Sequence, residues 1–341
     1  MSSPQIALYR DSFKVSDFQT VATGLNYPEG PVWRPDGSVL VVEIGAGNLT
    51  RVQPDGTKQV VAHLGGGPNG AAIGPDGAVY VCNDGGFTII PIEGLQVCLG
   101  PSSDYQGGSI QRVAADGTFK TLYSTFSATN PATRKPETLP LRSPDDLVFD
   151  SHGGFWMTDW GKDRWRDGDL TGVYYAQPDG SSIQEMIFPL RSPNGLALSP
   201  DESRLYVAES WTRRILYWNL SGPGKIDRTG TKTLDGSHLL TASIPFQAGL
   251  DSMSIDEQGN LYAVSILPNG PDPTARGGIT VVSPKGEILE WIEIDLGAAD
   301  PLPSNICFGG PDRKTAFITL GGTGRLISCQ MRVAGKKPAF E

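Results

Sequence analysis

The sequence predicts an all-β fold, a six-bladed β-propeller with four-stranded blades. Three observations predict it: a repeated two-strand pattern, a high content of turn residues, and short strands rich in Val, Ile, Leu and Tyr between Asp-Gly turns. Glycine and proline, at 43 and 27 of 341 residues, make up about a fifth of the chain without the Gly-X-Y period of collagen. This composition predicts a turn every few residues and argues against a helical protein.

The repeat has the same plan in each copy: a polar residue, a short apolar strand, a turn with Gly or Asp, and a second apolar strand. A further hairpin follows most copies, which gives four strands per unit. Six copies occur, at residues 28–43, 68–83, 144–159, 193–209, 250–265 and 304–320. Regular repetition of such units is typical of a propeller. The segment 18–24 resembles an outer strand, and we expect it to complete the last blade and close the ring.

We expect residues 1–341 to form one domain, because propellers often exceed the ~150 residues of an average domain. Strand counting places the long insertions on the same face as the polar residue that leads each repeat. These insertions are 84–108, 124–142, 159–171, 221–248 and 265–277. Loops on one face of a rigid scaffold commonly carry function. We therefore expect 84–108 and 124–142 to form a lid or a pocket wall.

Charge and composition exclude several classes of partner. The formal net charge of −9 argues against nucleic-acid binding, which calls for a basic surface. No run of 18 apolar residues occurs, so no membrane span is predicted. The start, Met1-Ser-Ser-Pro-Gln-Ile, lacks the basic and then apolar plan of a signal peptide, which predicts a cytoplasmic chain. We expect a monomer or weak homo-oligomer that acts on a small-molecule substrate.

A polar residue leads each of the six repeats and is predicted to start an innermost strand. These residues are Glu29, Asn69, Asp145, Asn194, Asp251 and Asn305. Innermost strands surround the channel, so these side chains are predicted to converge on it from different blades. A turn-capping role would explain one isolated Asn-Gly, but the same register carries a polar group in every repeat. Carboxylates crowded into a channel would also repel one another without a cation.

The predicted cofactor is one divalent cation, with Glu29, Asp145, Asn194 and Asp251 as its ligands. Ca²⁺ is favoured because these ligands offer only oxygen atoms, and Mg²⁺, Mn²⁺ and Zn²⁺ are the alternatives. The chain has only 3 histidines, which leaves little material for an imidazole zinc site or a Ser-His-Asp triad. Asn69 and Asn305 are assigned more to structure, although both are also candidates to line the pocket.

Several motifs of the chain occur together: Pro28-Glu29-Gly30-Pro31, Ser143-Pro144-Asp145-Asp146, Ser192-Pro193-Asn194-Gly195-Leu196, Ser304-Asn305 and the hairpin at Gly310-Pro-Asp-Arg-Lys-Thr. In combination they resemble the SMP-30/gluconolactonase/LRE family over nearly the whole chain. The resemblance implies a six-bladed propeller with a divalent metal, usually Ca²⁺, in its channel. It places the family's metal-binding Glu at Glu29, its blade-four Asn at Asn194 and its blade-five Asp at Asp251. The chain has Asp145 where the family has Asn.

The resemblance implies a metal-dependent hydrolase that opens a lactone, such as gluconolactone, or a related cyclic ester. A metal polarises the carbonyl in such a reaction, while a carboxylate accepts the proton of the attacking water. Asp251 is the candidate base by resemblance, and Glu29 is the second candidate. No serine lies in a G-x-S-x-G elbow, which argues against an acyl-enzyme route. The candidate substrate-binding residues are Asn69, Asp159, Trp160, Arg164, Trp211 and Asn305.

Other interpretations stay open. One is a metal-stabilised propeller that binds or processes a non-lactone ligand, such as another ester, a phosphoester-like substrate or another small molecule. A WD40-like protein scaffold is a third interpretation, but the W-D and G-H motifs are missing. For the loop that contains Trp160 and Arg164, a solvated loop with one packed Trp is an equal alternative to substrate binding.

Overall fold

Antiparallel strands of 3 to 9 residues, most of them ended by a turn that contains Gly or Asp, make up the fold. The structure is a computed structural model that describes residues 17–267, 276–296, 300 and 302–341. Part of the predicted insertion 265–277 lies outside these residues. Within them, the strands form the six blades of a propeller, as the repeat predicts, and two additional hairpins.

The first two blades follow the chain order, and one hairpin is inserted into the second. The first described strand is β1 (Gln19–Ala22), and blade one contains β2 (Pro28–Trp33), β3 (Val39–Glu43), β4 (Asn48–Val52) and β5 (Lys58–His63). Blade two begins with β6 (Pro68–Ile73) and β7 (Val79–Asn83), continues through the hairpin β8 (Phe87–Ile92) and β9 (Leu95–Pro101), and ends with β10 (Ser109–Val113) and β11 (Phe119–Tyr123).

A second hairpin, β12 (Thr125–Thr129) and β13 (Pro136–Pro140), precedes blade three, which contains β14 (Pro144–Phe149), β15 (Phe155–Asp159), β16 (Thr171–Ala176) and β17 (Ile183–Leu190). Blade four contains β18 (Pro193–Leu198), β19 (Arg204–Glu209), β20 (Arg214–Gly222), β21 (Lys225–Asp227) and β22 (His238–Thr241). A short 3₁₀ helix, Pro245–Gln247, leads to blade five, which contains β23 (Gly249–Ile255), β24 (Leu261–Ile266), β25 (Gly278–Val282) and β26 (Ile288–Glu293). Blade six contains β27 (Pro303–Gly309), β28 (Thr315–Leu320) and β29 (Arg325–Gln330). Within the described residues, no helix combines the length and apolar character needed to cross a bilayer.

The N-terminal strand completes blade six. β1 pairs antiparallel with β29, so that Gln19 lies opposite Ser328 and Thr20 opposite Ile327. This pairing confirms the closing strand predicted from residues 18–24. The innermost strand of each blade contacts that of the next blade, and β27 contacts β2. The blades therefore form a closed ring around a central channel.

Blade four departs from the simple four-stranded plan. Its outer position is divided between β21, which pairs with the last residues of β20, and β22, which pairs with the first ones. The chain between β21 and β22 belongs to the insertion 221–248 that the sequence predicts. An outer strand has a neighbour on one side only, so an insertion at this position leaves the three inner strands in place.

Hydrophobic side chains fill the space between neighbouring blades. Trp156 of blade three and Trp218 of blade four are both fully buried in one cluster with Val207 and Leu216. The Trp156 ring also packs edge-to-face on Tyr175, with ring centroids 5.0 Å apart. Close packing of this kind resists deformation, so it fixes the positions from which the innermost strands start.

Candidate functional site

Each innermost strand has a break in its pairing register at the polar residue that leads the repeat. The register of β2 shifts between Glu29 and Val32, and that of β14 shifts between Pro144 and Leu147. Equivalent shifts occur in β6, β18, β23 and β27. A bulge bends its strand and changes the direction of the side chains. The same local irregularity therefore presents a polar side chain in every blade.

Two glycines allow these bulged strands to approach each other closely. Gly30 has a φ of +47°, and a Cβ at this position would lie 2.5 Å from the main-chain oxygen of Asn69 in the next blade. A Cβ at Gly195 would collide with the main-chain nitrogen of Met253. A side chain at either position would push neighbouring blades apart. The glycine after the polar residue is thus required by contact between blades.

Five of the six polar residues meet at one cavity of about 700 Å³. The side chains that we call the cavity floor are Glu29, Asn69, Asp145, Asn194 and Asp251, and all of them line this cavity. Asp251 is half-buried and the other four are buried. Asn305 does not line it: it faces a separate cavity of about 190 Å³, together with Asp146 and residues 336–341.

Carboxylates and amides alternate around the channel. Each amide donates a hydrogen bond to the carboxylate of the following blade. The pairs are Asn305 Nδ2 to Glu29 Oε2 (2.8 Å), Asn69 Nδ2 to Asp145 Oδ2 (3.1 Å), and the side chains of Asn194 and Asp251. Asn305 therefore contributes to the site from behind, by holding Glu29 in place.

These hydrogen bonds leave carboxylate oxygens available to a ligand. The main-chain N–H of Gly30 donates to the same oxygen of Glu29 as Asn305 does (2.9 Å), so neither bond uses Oε1. Oδ1 of Asp145 is buried and has no hydrogen-bond partner among the residues that the structure describes. A buried carboxylate oxygen without a partner is unfavourable unless a ligand or an ion meets it.

Burial raises the pKa of all three carboxyl groups of the cavity floor. Repulsion by Asp251 raises the pKa of Glu29 and Asp145 further, and the pKa of Asp251 itself rises to about 7. None of the ion pairs within the described part of the chain involves these three side chains. Their negative charge must therefore be neutralised by protons or by a ligand.

The chemistry of the floor suits a divalent cation. Its carboxylates and the amide of Asn194 are hard oxygen donors, and the unpartnered Oδ1 of Asp145 is one of them. Over the described ranges, however, no three acidic, histidine or cysteine side chains are grouped closely enough to form a metal centre by themselves. A cation at the floor is therefore a proposal that rests on the donor chemistry.

A buried ion pair, which sequence analysis missed, lies behind Asn69. Nζ of Lys162 lies 3.2 Å from Oδ1 of Asp84, and neither side chain is exposed to solvent. The same Nζ lies 3.3 Å from the centroid of the Phe87 ring, a cation–π contact. The side chain of Asn69 lies close enough to Asp84 to lower the pKa of its carboxyl group. The ion pair is therefore adjacent to the amide that holds Asp145.

The structure does not bring Asp159, a candidate substrate-binding residue, to the cavity wall. Its carboxylate is fully buried and accepts the main-chain N–H groups of Arg142, Ser143 and Gly161, each at 2.7 to 3.0 Å. Glu209 accepts a main-chain N–H at the equivalent position of blade four. Asp159 therefore anchors the loop that leads into β14.

Most of the cavity wall comes from three loops. Trp160 and Arg164 follow blade three's second strand, Trp211 follows that of blade four, and all three line the cavity. Phe87 and residues 97–101 of the β8–β9 hairpin line it as well, so the insertion 84–108 forms a pocket wall. The prediction for 124–142 is wrong: this segment does not line the cavity, because Phe126 packs into the hydrophobic core against Tyr174.

Tyr27 and Cys98 complete the wall beside Glu29, and sequence analysis singled out neither. Tyr27 has a φ of +53°, which is unusual for a bulky side chain. The phenol and the thiol are hydrogen-bonded to each other, and burial raises the pKa of both. Both groups therefore stay protonated at neutral pH, which makes Cys98 a poor nucleophile.

The chain matches the family described as SMP-30/Gluconolactonase/LRE-like region over residues 27–322. It is 29% identical over 329 residues to a gluconolactonase of Zymomonas mobilis, a match that covers 88% of this chain and 78% of that protein. It is also 29% identical over 243 residues to lactonase drp35 of Staphylococcus aureus, where the match covers 69% of this chain and 62% of that protein. Among solved structures, the calcium-binding protein regucalcin of Agrobacterium tumefaciens has the same fold, with a TM-score of 0.66 at 16% identity over 94% of this chain and 97% of that one. The chain therefore belongs to the SMP-30/gluconolactonase/LRE-like family.

Proposed function

We propose that the protein is a metal-dependent lactonase, which uses water to open a lactone such as a sugar lactone or a related cyclic ester. One observation carries the proposal: Glu29, Asp145, Asn194 and Asp251, from four different blades, line the floor of the same cavity. The family match supports it, as do the gluconolactonase and lactonase names of the relatives. These names also support a small-molecule substrate.

The proposed cofactor is one divalent cation held by Glu29, Asp145, Asn194 and Asp251. Ca²⁺ fits best because every donor is an oxygen atom, and Mg²⁺, Mn²⁺ and Zn²⁺ are the alternatives. The calcium-binding structural relative supports this choice. When bound, such a cation polarises the lactone carbonyl and stabilises the negative charge that develops on its oxygen.

Asp251 is the proposed general base. It is the one carboxylate of the floor that is not fully buried, so a water molecule in the cavity can reach it. Asn194 orients its carboxylate by a hydrogen bond. Asp251 would take the proton of the attacking water and return it to the leaving alkoxide. Glu29 is the second candidate, since its Oε1 is not engaged by Asn305 or Gly30.

The remaining residues of the site have supporting roles in this proposal. Asn69 and Asn305 hold two of the carboxylates in fixed orientations. In this proposal Trp160 and Trp211 enclose the substrate, and Arg164 forms part of the same wall. Exclusion of water by the tryptophans would strengthen every electrostatic interaction at the floor.

The proposal is tested by a pH-indicator assay on sugar, aliphatic and aromatic lactones, with and without EGTA. We expect hydrolysis above the uncatalysed rate, its loss after exhaustive chelation, and its return with excess CaCl₂. Glu137→Gln, which removes an exposed carboxylate on β13, is a control variant. Its activity with and without EGTA should equal that of the wild-type protein. Hydrolysis of no lactone would refute the function. Full activity in protein that elemental analysis finds free of divalent ions would refute the proposal of a cation cofactor.

A further inference from the structure

Three aromatic rings form a continuous row along one wall of the cavity. The ring centroids of Phe87 and Trp160 are 5.9 Å apart, and those of Trp160 and Trp211 are 6.3 Å apart. Both pairs meet edge to face, at 74° and 69°. This geometry is favourable for aromatic pairs and keeps each ring in a fixed orientation. The row gives the cavity a rigid apolar surface from blade two to blade four.

Aliphatic side chains make up much of the remaining wall. They are Ile44, Val97, Leu99, Pro101, Ile266 and Leu302. Leu99 is 46% exposed and Trp211 39% exposed, although both are large apolar side chains. Large apolar residues that are grouped around a cavity and left exposed are typical of a surface that binds an apolar ligand.

Polar side chains on the wall already have hydrogen-bond partners, either on the wall or, for Arg164 and Asp163, also in Asp169 and Arg191, which do not line the cavity. The pairs are Trp160 Nε1 to Ser210 Oγ (3.0 Å), Trp211 Nε1 to Asp163 Oδ2 (2.8 Å), Arg191 Nη2 to Asp163 Oδ1 (2.7 Å) and Arg164 Nη2 to Asp169 Oδ1 (3.1 Å). Hydroxyl groups of a ligand would have to compete with these partners. A ligand hydroxyl that leaves water without gaining a hydrogen bond is bound unfavourably.

We propose that the site prefers a lactone with an apolar alkyl or aryl substituent over a polyhydroxylated sugar lactone. This inference rests on the proposed lactonase function and narrows its substrate class. The ester group lies at the polar floor, and the substituent lies along the row of Phe87, Trp160 and Trp211. The cavity of about 700 Å³ is large enough for a ligand that extends well beyond the lactone ring.

Three six-membered lactones test the preference: δ-valerolactone, which has no substituent, δ-decalactone, which has an alkyl chain, and D-glucono-δ-lactone, which has hydroxyl groups. Each kcat/KM is divided by the uncatalysed rate constant of the same lactone. We expect the δ-decalactone value to exceed both others by ~10–100-fold. A gluconolactone value equal to or above it would overturn this inference and leave the lactonase function standing. Hydrolysis of none of the three would overturn this inference, and hydrolysis of no lactone in the wider panel would overturn the function as well.

Trp211→Ala tests the wall directly. We expect it to lower the δ-decalactone to δ-valerolactone ratio of kcat/KM by ~10-fold, because the alkyl chain loses its contact. Trp211→Phe should keep most of the ratio. Leu289→Ala, an exposed apolar residue on the outer strand of blade five, is the control and should not change it. Thermal unfolding scans show whether each variant is still folded. Equal losses on both lactones in folded Trp211→Ala would overturn the assignment of the wall to the substituent.

Discussion

Among the buried carboxylates of this propeller, two groups differ in how their negative charge is compensated. Asp84 forms an ion pair with Lys162, with both side chains fully buried. At the cavity floor, Glu29 and Asp145 receive hydrogen bonds from amides and have no ion-pair partner among the described residues. An amide orients a carboxylate without neutralising it, whereas a lysine does both.

This difference distinguishes a structural element from a site that a ligand completes. The charges of Asp84 and Lys162 neutralise each other within the protein, although Oδ2 of Asp84, like Oδ1 of Asp145, has no hydrogen-bond partner among the described residues. Burial opposes both charges of the pair, and their attraction favours them. The floor holds several carboxylates whose pKa burial raises, so it is stable only with protons or with a cation. Asn69 lies between the two regions: it donates a hydrogen bond to Asp145, and it lowers the pKa of Asp84.

The largest effect is expected where the floor is changed. Asp251→Asn keeps an oxygen donor but cannot accept a proton near neutral pH. If Asp251 is the base, kcat should fall by ~10²–10⁴-fold while cation and substrate binding are retained. Steady-state kinetics at saturating CaCl₂, together with calorimetric Ca²⁺ titration, measure both quantities.

Glu29→Gln is the matched control for Asp251→Asn, because it removes the competing base in the same way. Recovery of full activity by Asp251→Asn at saturating CaCl₂ would show that the residue is only a ligand. The role of base would then pass to Glu29.

The second-largest effect is expected on the stability of the protein when the Asp84–Lys162 ion pair is broken. Lys162→Met leaves Asp84 buried without a cation and should lower the free energy of unfolding by about 3–5 kcal/mol. The double variant Asp84→Asn/Lys162→Met should recover part of this loss, because it removes both charges. Urea unfolding monitored by tryptophan fluorescence measures each value. Additive losses in the double variant would show that the two residues stabilise the fold independently.

A smaller effect is expected from the cation itself. Ca²⁺ that binds only the folded protein should stabilise it by about 2.7 kcal/mol at a concentration 100 times its Kd. Asp145→Asn removes one negative charge, so it should weaken Ca²⁺ binding and reduce this stabilisation at a fixed CaCl₂ concentration. Glu137→Gln, which removes a carboxylate on the exposed strand β13, should bind Ca²⁺ with little change. Equal Ca²⁺ affinity of Asp145→Asn and wild type would exclude Asp145 as a ligand.

The fold was predictable because it depends on a local pattern that recurs. Each repeat has its own polar residue, apolar strands and turn, and closure by β1 follows from counting strands. The bulges at the starts of the innermost strands were not predicted, since the sequence pattern does not show where the pairing register of two strands shifts. The sequence shows the glycines after Glu29 and Asn194, but only the structure shows why glycine is needed there, which is the close approach of a neighbouring strand.

The site was predictable to the extent that its residues share a register with the repeat. Glu29, Asn69, Asp145, Asn194 and Asp251 do share it, and they meet at the cavity floor. Asp84 and Lys162 are 78 residues apart and belong to no repeat position, so only the structure pairs them. Asp159 was a candidate substrate-binding residue, but three main-chain N–H groups, which the sequence does not reveal, engage its carboxylate.

The smallest effect is expected on the pH dependence of stability without a cation. Burial raises the pKa of Asp251 from its ordinary value near 4 to about 7, so between these values the folded state binds its proton more tightly than the unfolded state. The free energy of unfolding of EGTA-treated protein should therefore decrease as pH rises through this range, with Tm falling by about 2–5 °C. Exposed carboxylates such as Asp201, with a pKa lowered to about 2, titrate below this range and do not mask the trend.

Two controls test the assignment to Asp251. Saturating Ca²⁺ favours the ionised carboxylate and should flatten or reverse the slope of stability against pH. Asp251→Asn should reduce this slope in EGTA. Calorimetric scans between pH 4.5 and 7.5 measure these slopes, and a Tm that rises with pH in EGTA would show that the floor is neutralised in another way.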